Sequence, residues 1–343
     1  MNKITIAVIT PGRKEDYLVR TIVDGLEQLR HEALLGDIKY TDNNPRHFKI
    51  KEHELKRNNF IEYAKKADII LYCWGKVHEN KDLVHIIGRY NATAYIDGSE
   101  LGHNKRLEPQ IVQQLEQGTY VGKGSIDEEM LKKCTAYFRR EKPYTRGILP
   151  LPYGIESVYT SYGSNKSFKD RVYDVICVFG QKKFPPLREK VAMLLEEVQK
   201  TGRLKIWNKS TKLPFLSPHN FISRRIFYQK LSNSRIGISV SGGGYDTARF
   251  WEILGSGAFL LTQKIDIDFP NAISIPKKLY KEFNSEDDFE EALNNSIKEL
   301  ETISEVEQSA AYKELLQYHS SKARVLHVLQ VMCERCGLSY TIR

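Results

Sequence analysis

Residues 239–263 read SVSGGGYDTARFWEILGSGAFLLTQ. A hydrophobic strand runs into Ser241, Gly242, Gly243 and Gly244, with Tyr245 next. A helix then starts near Asp246 or Thr247, both good N-caps. It carries Arg249 and Glu252 and stops at Gly255-Ser256-Gly257. The strand AFLLT, 258–262, follows at once. Three glycines at a strand C-terminus remove side chains where an anion such as a phosphate group can reach backbone N–H groups and a helix N-terminus. Arg249 and Glu252 share a helix face, whereas Asp246 and Glu252 do not. Taken alone, the stretch fits a tight turn with a helical ion pair equally well.

The same alternation continues along the chain. Downstream of residue 170, strands are expected at 173–179, 204–207, 236–240, 259–262 and 273–275. Helices are expected at 186–201, 221–232, 247–254 and 285–300, and the tail from 305 to 336 reads as helical throughout. Upstream, strands are expected at 4–9, 38–41, 69–74, 94–96, 119–121, 136–138 and 147–150, with helices at 17–35, 58–66, 84–90 and 109–116. Ile- and Val-rich runs without polar alternation are buried on both faces, and alternation with helices implies parallel sheets. A polar break, SYGSNKSFKD at 161–170, separates the two series. The reading is an α/β chain of two domains, 1–155 and 156–320, followed by a C-terminal helical segment, 321–343.

Composition narrows the class. The chain has 343 residues, 41% hydrophobic and 28% charged, which suits a globular protein and excludes disordered and fibrous classes. No apolar run reaches the ~18 residues of a membrane span. The opening MNKITIAVITPG reads as a buried strand and not a signal peptide, which places the protein in the cytoplasm. Five scattered cysteines form no disulfide framework, and the Cys333/Cys336 pair reads as two residues one turn apart on a helix. The net charge of +9 favours anionic partners: a phosphorylated substrate, an anionic acceptor, the inner membrane face or nucleic acid. Its densest run, KIKEHELKR at 49–57, is diluted by two glutamates and reads as a solvated face.

The string ARFWEILGSGAFLLT resembles the signature of the CgeB-type (spore-maturation protein B-like) glycosyltransferases, a helix of the form R-x-x-E-[IL] followed by a small-Gly pair and a strand. Two further segments are similar to that family. DVICVFGQKKFPPLR, 174–188, matches its first C-domain strand and loop, with Gly180 and Arg188 at the glycine and arginine positions. YFRREKPYTRGILPLP, 137–152, matches its Y-F-K-R-E stretch and proline-rich crossing. The resemblance spans about residues 130–265. It implies the GT-B fold, two Rossmann-like domains facing each other across a cleft, with the C-terminal helix returning to the first domain. It implies a nucleoside diphosphate sugar as co-substrate, with no other cofactor and no metal. Glu252 would then hold the donor ribose and Arg249 the diphosphate. Gly180, Gln181, Lys182, Arg188, Ser241, Gly242, Gly243, Gly244 and Tyr245 would line the donor. The acceptor would be a hydroxyl of a glycan or surface-polymer precursor.

Such chemistry needs stabilisation of the departing diphosphate, with Arg249 the expected catalytic cation. Inversion would also need a general base from the first domain. Segment 95–104, YIDGSELGHN, follows a strand and holds Asp97, Glu100 and His103, of which Asp97 and His103 are the leading candidates. Thr10 to Arg13, and Trp74 to Lys76 with His78, are further loop candidates. Asp266-Ile267-Asp268 spells D-x-D but reads as a solvated loop. Two alternatives remain open: a GT-B enzyme glycosylating nucleic acid, and a non-catalytic nucleotide-binding protein on the same fold.

Overall fold

The computed structural model describes residues 3–13, 16–74, 79–100, 109–122, 124–163, 166–178, 186–209 and 224–339. In chain order, the first series is β1 (Ile6–Ile9), α1 (Tyr17–His31), β2 (Ile38–Thr41), β3 (Glu54–Leu55), α2 (Arg57–Ala64), β4 (Ile69–Trp74) and α3 (Leu83–Ile87). It continues with β5 (Thr93–Asp97), α4 (Pro109–Gln117), α5 (Glu128–Lys133), β6 (Ala136–Arg139) and β7 (Ile148–Pro150). These strands form one seven-stranded sheet in the order β3-β2-β1-β4-β5-β6-β7, every neighbour parallel.

The second series is α6 (Ser157–Ser161), β8 (Tyr173–Cys177), α7 (Pro186–Lys200), β9 (Ile206–Asn208), α8 (Arg224–Ser232), β10 (Ser234–Ser239) and α9 (Ala248–Gly255). It ends with β11 (Phe259–Gln263), β12 (Tyr280–Phe283), α10 (Glu286–Thr302), α11 (Glu305–His319) and α12 (Ser321–Cys336). Its five strands form a second parallel sheet in the order β12-β11-β10-β8-β9.

The apolar runs become strands because both sheet faces are covered. Ile6, Val8, Ile69, Leu71, Ile236, Ile238, Leu260 and Leu261 are all fully buried. Two expected strands are not strands. Residues 119–121 form a loop, and Val121 is 93% exposed. Residues 273–275 are irregular, and the edge position is taken by β12, whose sequence YKEF alternates weakly because an edge strand pairs on one side only. The helical tail breaks at Ser320, whose hydroxyl accepts from Ala323 N–H and restarts the chain as α12.

α12 leaves the second series and lies on α1 of the first. Gly25 makes this approach possible, since a Cβ there would meet the Ser321 carbonyl and the Val325 side chain. Asp24 accepts from Ser157 and Ser321, and Gln28 donates to Ser321 Oγ at 2.9 Å. Among the described residues no helix is long and apolar enough to cross a membrane.

Beside this seam the Arg20 guanidinium meets Glu156 at 2.8 Å, both side chains nearly dry. Burial pushes the Glu156 carboxyl up to about 7, against the pull of Arg20. A carboxyl raised in the folded state binds its proton where the unfolded chain has already lost it. Stability therefore falls as pH rises from about 4.5 to 7. Glu156→Gln keeps the shape and removes the titration. Its stability should vary less steeply over that window, by up to ~1.4 kcal/mol per pH unit, in urea unfolding of both proteins at pH 5, 6 and 7. Parallel slopes would overturn this.

Candidate active site

In an open parallel sheet, ligands bind beyond the strand C-termini where the strand order reverses. In the five-stranded sheet this point lies between β8 and β10, because β9 is added on one side of β8 and β10 on the other. The loop after β10 is the glycine turn. Gly242 N–H donates to the Gly244 carbonyl at 3.0 Å, and Ser241 is fixed by its N–H and hydroxyl on Gln263 Oε1.

Arg188, in the first turn of α7, reaches this loop from the other side of the reversal. Its Nε donates to the Ser241 carbonyl and its second terminal nitrogen to the Val240 carbonyl, both at 2.9 Å. The same nitrogen would stand 2.9 Å from a Cβ on Gly242. Burial, and secondly the charge of Arg249, bring the Arg188 guanidinium down to about 10. Arg188 of α7 is thus held on the glycine turn, and Arg249 stands in the first turn of α9, which follows that turn. Cations so placed favour an anion at the turn.

Arg249 lies over the Phe227 ring at 4.1 Å and meets Glu252 Oε2 at 2.7 Å. Glu252 is 4% exposed, and its other oxygen accepts from the Tyr228 hydroxyl at 3.0 Å. Burial, then the Glu252 charge, pushes that phenol well up, so it stays a donor. A carboxylate offers about four lone-pair directions, and these contacts use two.

Neither expected cap residue bonds the α9 N-terminus. Thr247 occupies the N-cap with extended backbone and makes no side-chain cap bond. The buried Asp246 turns away, accepting from Tyr153 N–H and from Trp251 Nε1, each at 2.7 Å. Burial raises its carboxyl to about 7.

Residues of the first series meet this loop. Glu141, fully buried, accepts from Tyr245 N–H at 3.1 Å with one oxygen and from Arg140 at 2.9 Å with the other. Arg140 also donates to the Tyr153 hydroxyl and lies 3.8 Å from Glu100. The Glu100 carboxylate stands against Gly243 and that of Glu141 against Gly244. Arg140, Glu141, Tyr153 and Tyr228 received no role from sequence. The RRE of 139–141 was a visible signal, but nothing local told that it crosses to residue 245.

Asp97 ends β5 and is 1% exposed. It accepts from the Tyr137 hydroxyl at 2.7 Å and from Ser99 N–H at 2.8 Å, with Arg139 at 3.9 Å. It thus closes the strand end, facing inward. Thr10, also buried, pairs with Thr41 through both hydroxyls at 2.8 Å. Gly12 has φ +76°, and a Cβ there would lie 2.6 Å from the Glu79 carboxylate. Asp266 is exposed, accepting from Lys142 and the Tyr144 hydroxyl, each at 2.8 Å; Asp268 is exposed as well. His103, Gly180, Gln181, Lys182, Gly75, Lys76 and His78 lie outside the described residues.

No family model matches the chain, and no curated protein matches it. Solved structures do. An alpha-glucosyltransferase in complex with UDP and a 13-mer DNA containing a central A:G mismatch aligns with TM-score 0.63 and 12% identity, over 96% of this chain and 99% of that one. A glycosyltransferase from Rickettsia africae aligns with TM-score 0.55 and 14% identity, over 99% and 100%. Anabaena Alr3699/HepE, in complex with UDP and glucose, aligns with TM-score 0.53 and 9% identity, over 96% and 100%. At such identities the likeness is one of fold, and that fold is GT-B.

Proposed function

We propose that the protein is a glycosyltransferase that moves a sugar from a nucleoside diphosphate sugar to a hydroxyl acceptor, a glycan or surface-polymer precursor, with a CgeB-type donor site. The observation that carries the reading is Arg188 bound to the Val240 and Ser241 carbonyls at the glycine turn, at the point where the strand order reverses, with Arg249 in the first turn of the helix that follows. The structural neighbours solved with UDP support the donor class.

In the reaction the bond from the anomeric carbon to the phosphate oxygen breaks, and its electron pair leaves on the diphosphate. The acceptor oxygen bonds to the anomeric carbon and loses its proton. Arg188, Arg249 and the α9 N-terminus meet the growing charge on the leaving group. Glu252 has lone-pair directions left for the ribose hydroxyls. We place the proton acceptor in the segment 95–104 at the end of β5, with His103 as its candidate, because Asp97 is buried and already accepts from Tyr137 and Ser99.

Uridine, guanosine, cytidine and thymidine diphosphates at millimolar concentration form the direct test. A nucleotide present at a hundred times its Kd adds about 2.7 kcal/mol of stability and raises the melting temperature. At least one should do so. If none does, the donor assignment is wrong.

A further inference from the structure

Glycine is needed for one of two reasons: a backbone conformation closed to other residues, or lack of room for a Cβ. Gly242, Gly243 and Gly244 are not among the residues with positive φ, so no left-handed conformation reserves these positions for glycine. Space is the constraint, and what fills it is protein. A Cβ on Gly242 would press on Arg188 of the same domain. On Gly243 it would collide with the Glu100 carboxylate, and on Gly244 with that of Glu141 and, at 3.0 Å, with Arg140. The last three belong to the other domain.

Four consecutive residues, Gly243 to Asp246, are held in this way. Glu100 covers Gly243, and Glu141 covers Gly244. Glu141 also takes the N–H of Tyr245, and Asp246 takes the N–H of Tyr153 in the crossing between the domains. The Glu100 side chain is 12% exposed. Glu141 is more tightly enclosed, fully buried with Arg140 on one oxygen and the Tyr245 N–H on the other.

We infer that the glycine turn is a socket for the first domain, and that Glu141 is a positioning residue that shapes the donor loop through the Tyr245 N–H. This rests on the donor reading of the loop. The glycine at 244 is then required by Glu141 and not by the ligand. Donor binding and domain docking are linked, because one loop serves both.

Five variants separate these causes: Gly244→Ala, Glu141→Ala, Glu141→Gln, and Gly244→Ala combined with either Glu141→Ala or Glu141→Gln. Each is measured for melting temperature without ligand and for Kd of whichever nucleoside diphosphate protects the wild type. Gly244→Ala should lower the melting temperature and weaken nucleotide binding at least ten-fold. Glu141→Ala should weaken it about ten-fold, the loss of one hydrogen bond to a charged group. In the Glu141→Ala background the added alanine should cost little in either readout, because the carboxylate it collides with is gone and only the tip of Arg140, at 3.0 Å, is left to give way. In the Glu141→Gln background, where the volume is kept, it should cost as much as in the wild type.

The result that overturns the inference is an alanine at 244 that weakens nucleotide binding equally with and without the Glu141 side chain. That would make the glycine the ligand's requirement. A Gly244→Ala protein as stable and as tightly binding as the wild type would overturn it too. If the wild type binds no nucleoside diphosphate, the donor reading falls and the positioning role with it. The socket itself is still judged by the ligand-free melting temperatures.

Discussion

Arg249→Ala should cut turnover by about a hundred- to a thousand-fold while changing nucleotide affinity much less, the loss typical when one preorganised charge donor is removed from a transition state. Negative charge on a departing diphosphate grows as the sugar bond breaks, so a cation at this loop contributes more in the transition state than in the ground state. The contrasting variant is Glu252→Gln. It should weaken donor binding about ten- to a hundred-fold, because two ribose hydroxyls lose a charged acceptor.

Both side chains also hold each other at 2.7 Å, and Arg249 covers Phe227. A structural defect must therefore be separated from a chemical one. Arg249→Lys keeps a charge near the loop and should recover part of the turnover, whereas it cannot restore the planar contact on Phe227. Turnover per folded molecule decides. If Arg249→Ala leaves it unchanged, the guanidinium is only the ion-pair partner of Glu252, and the donor reading loses its main support.

Trp251→Ala should cost about 3–5 kcal/mol of stability, the range for removing a large aromatic side chain from a packed core. Trp251 is completely buried in α9, at the junction of three elements. Its ring packs near Phe269 and His319, and the Arg324 guanidinium of α12 lies 5.2 Å from its centroid. Its indole N–H serves Asp246. Trp251→Phe divides these effects. It keeps most of the apolar volume but removes the donor to a buried carboxyl, which should cost about 1–3 kcal/mol by itself. Urea unfolding measures both. A loss below about 1 kcal/mol for Trp251→Ala would show that α9 is not anchored through this residue.

Much of the architecture was readable locally. Ile69–Trp74 is a strand because six consecutive apolar or aromatic residues have no polar face to turn outward. α10 begins at Ser285 because its hydroxyl and Asp288 cap each other's backbone N–H groups, a capping box written in four residues. The strand order of the second sheet follows from alternating strands and helices only once handed crossovers are allowed for. β12 is not legible locally, because it pairs with one neighbour only, β11, and its sequence YKEF carries little hydrophobic signal.

The glycine turn is visible as glycines, an arginine and a glutamate in one short stretch. The sequence by itself determined that a strand ends there, that a helix begins there, and that Arg249 and Glu252 face the same way, since all three depend on contacts within a few residues. It could not determine why Asp246 turns from the cap to Tyr153 and Trp251, or why residue 244 has no side chain. Those answers lie in Tyr153 and Glu141, which are 93 and 104 positions from the groups they hold. Only packing one domain against the other places a buried carboxylate where a Cβ would stand, and no local periodicity encodes a contact between separately formed sheets.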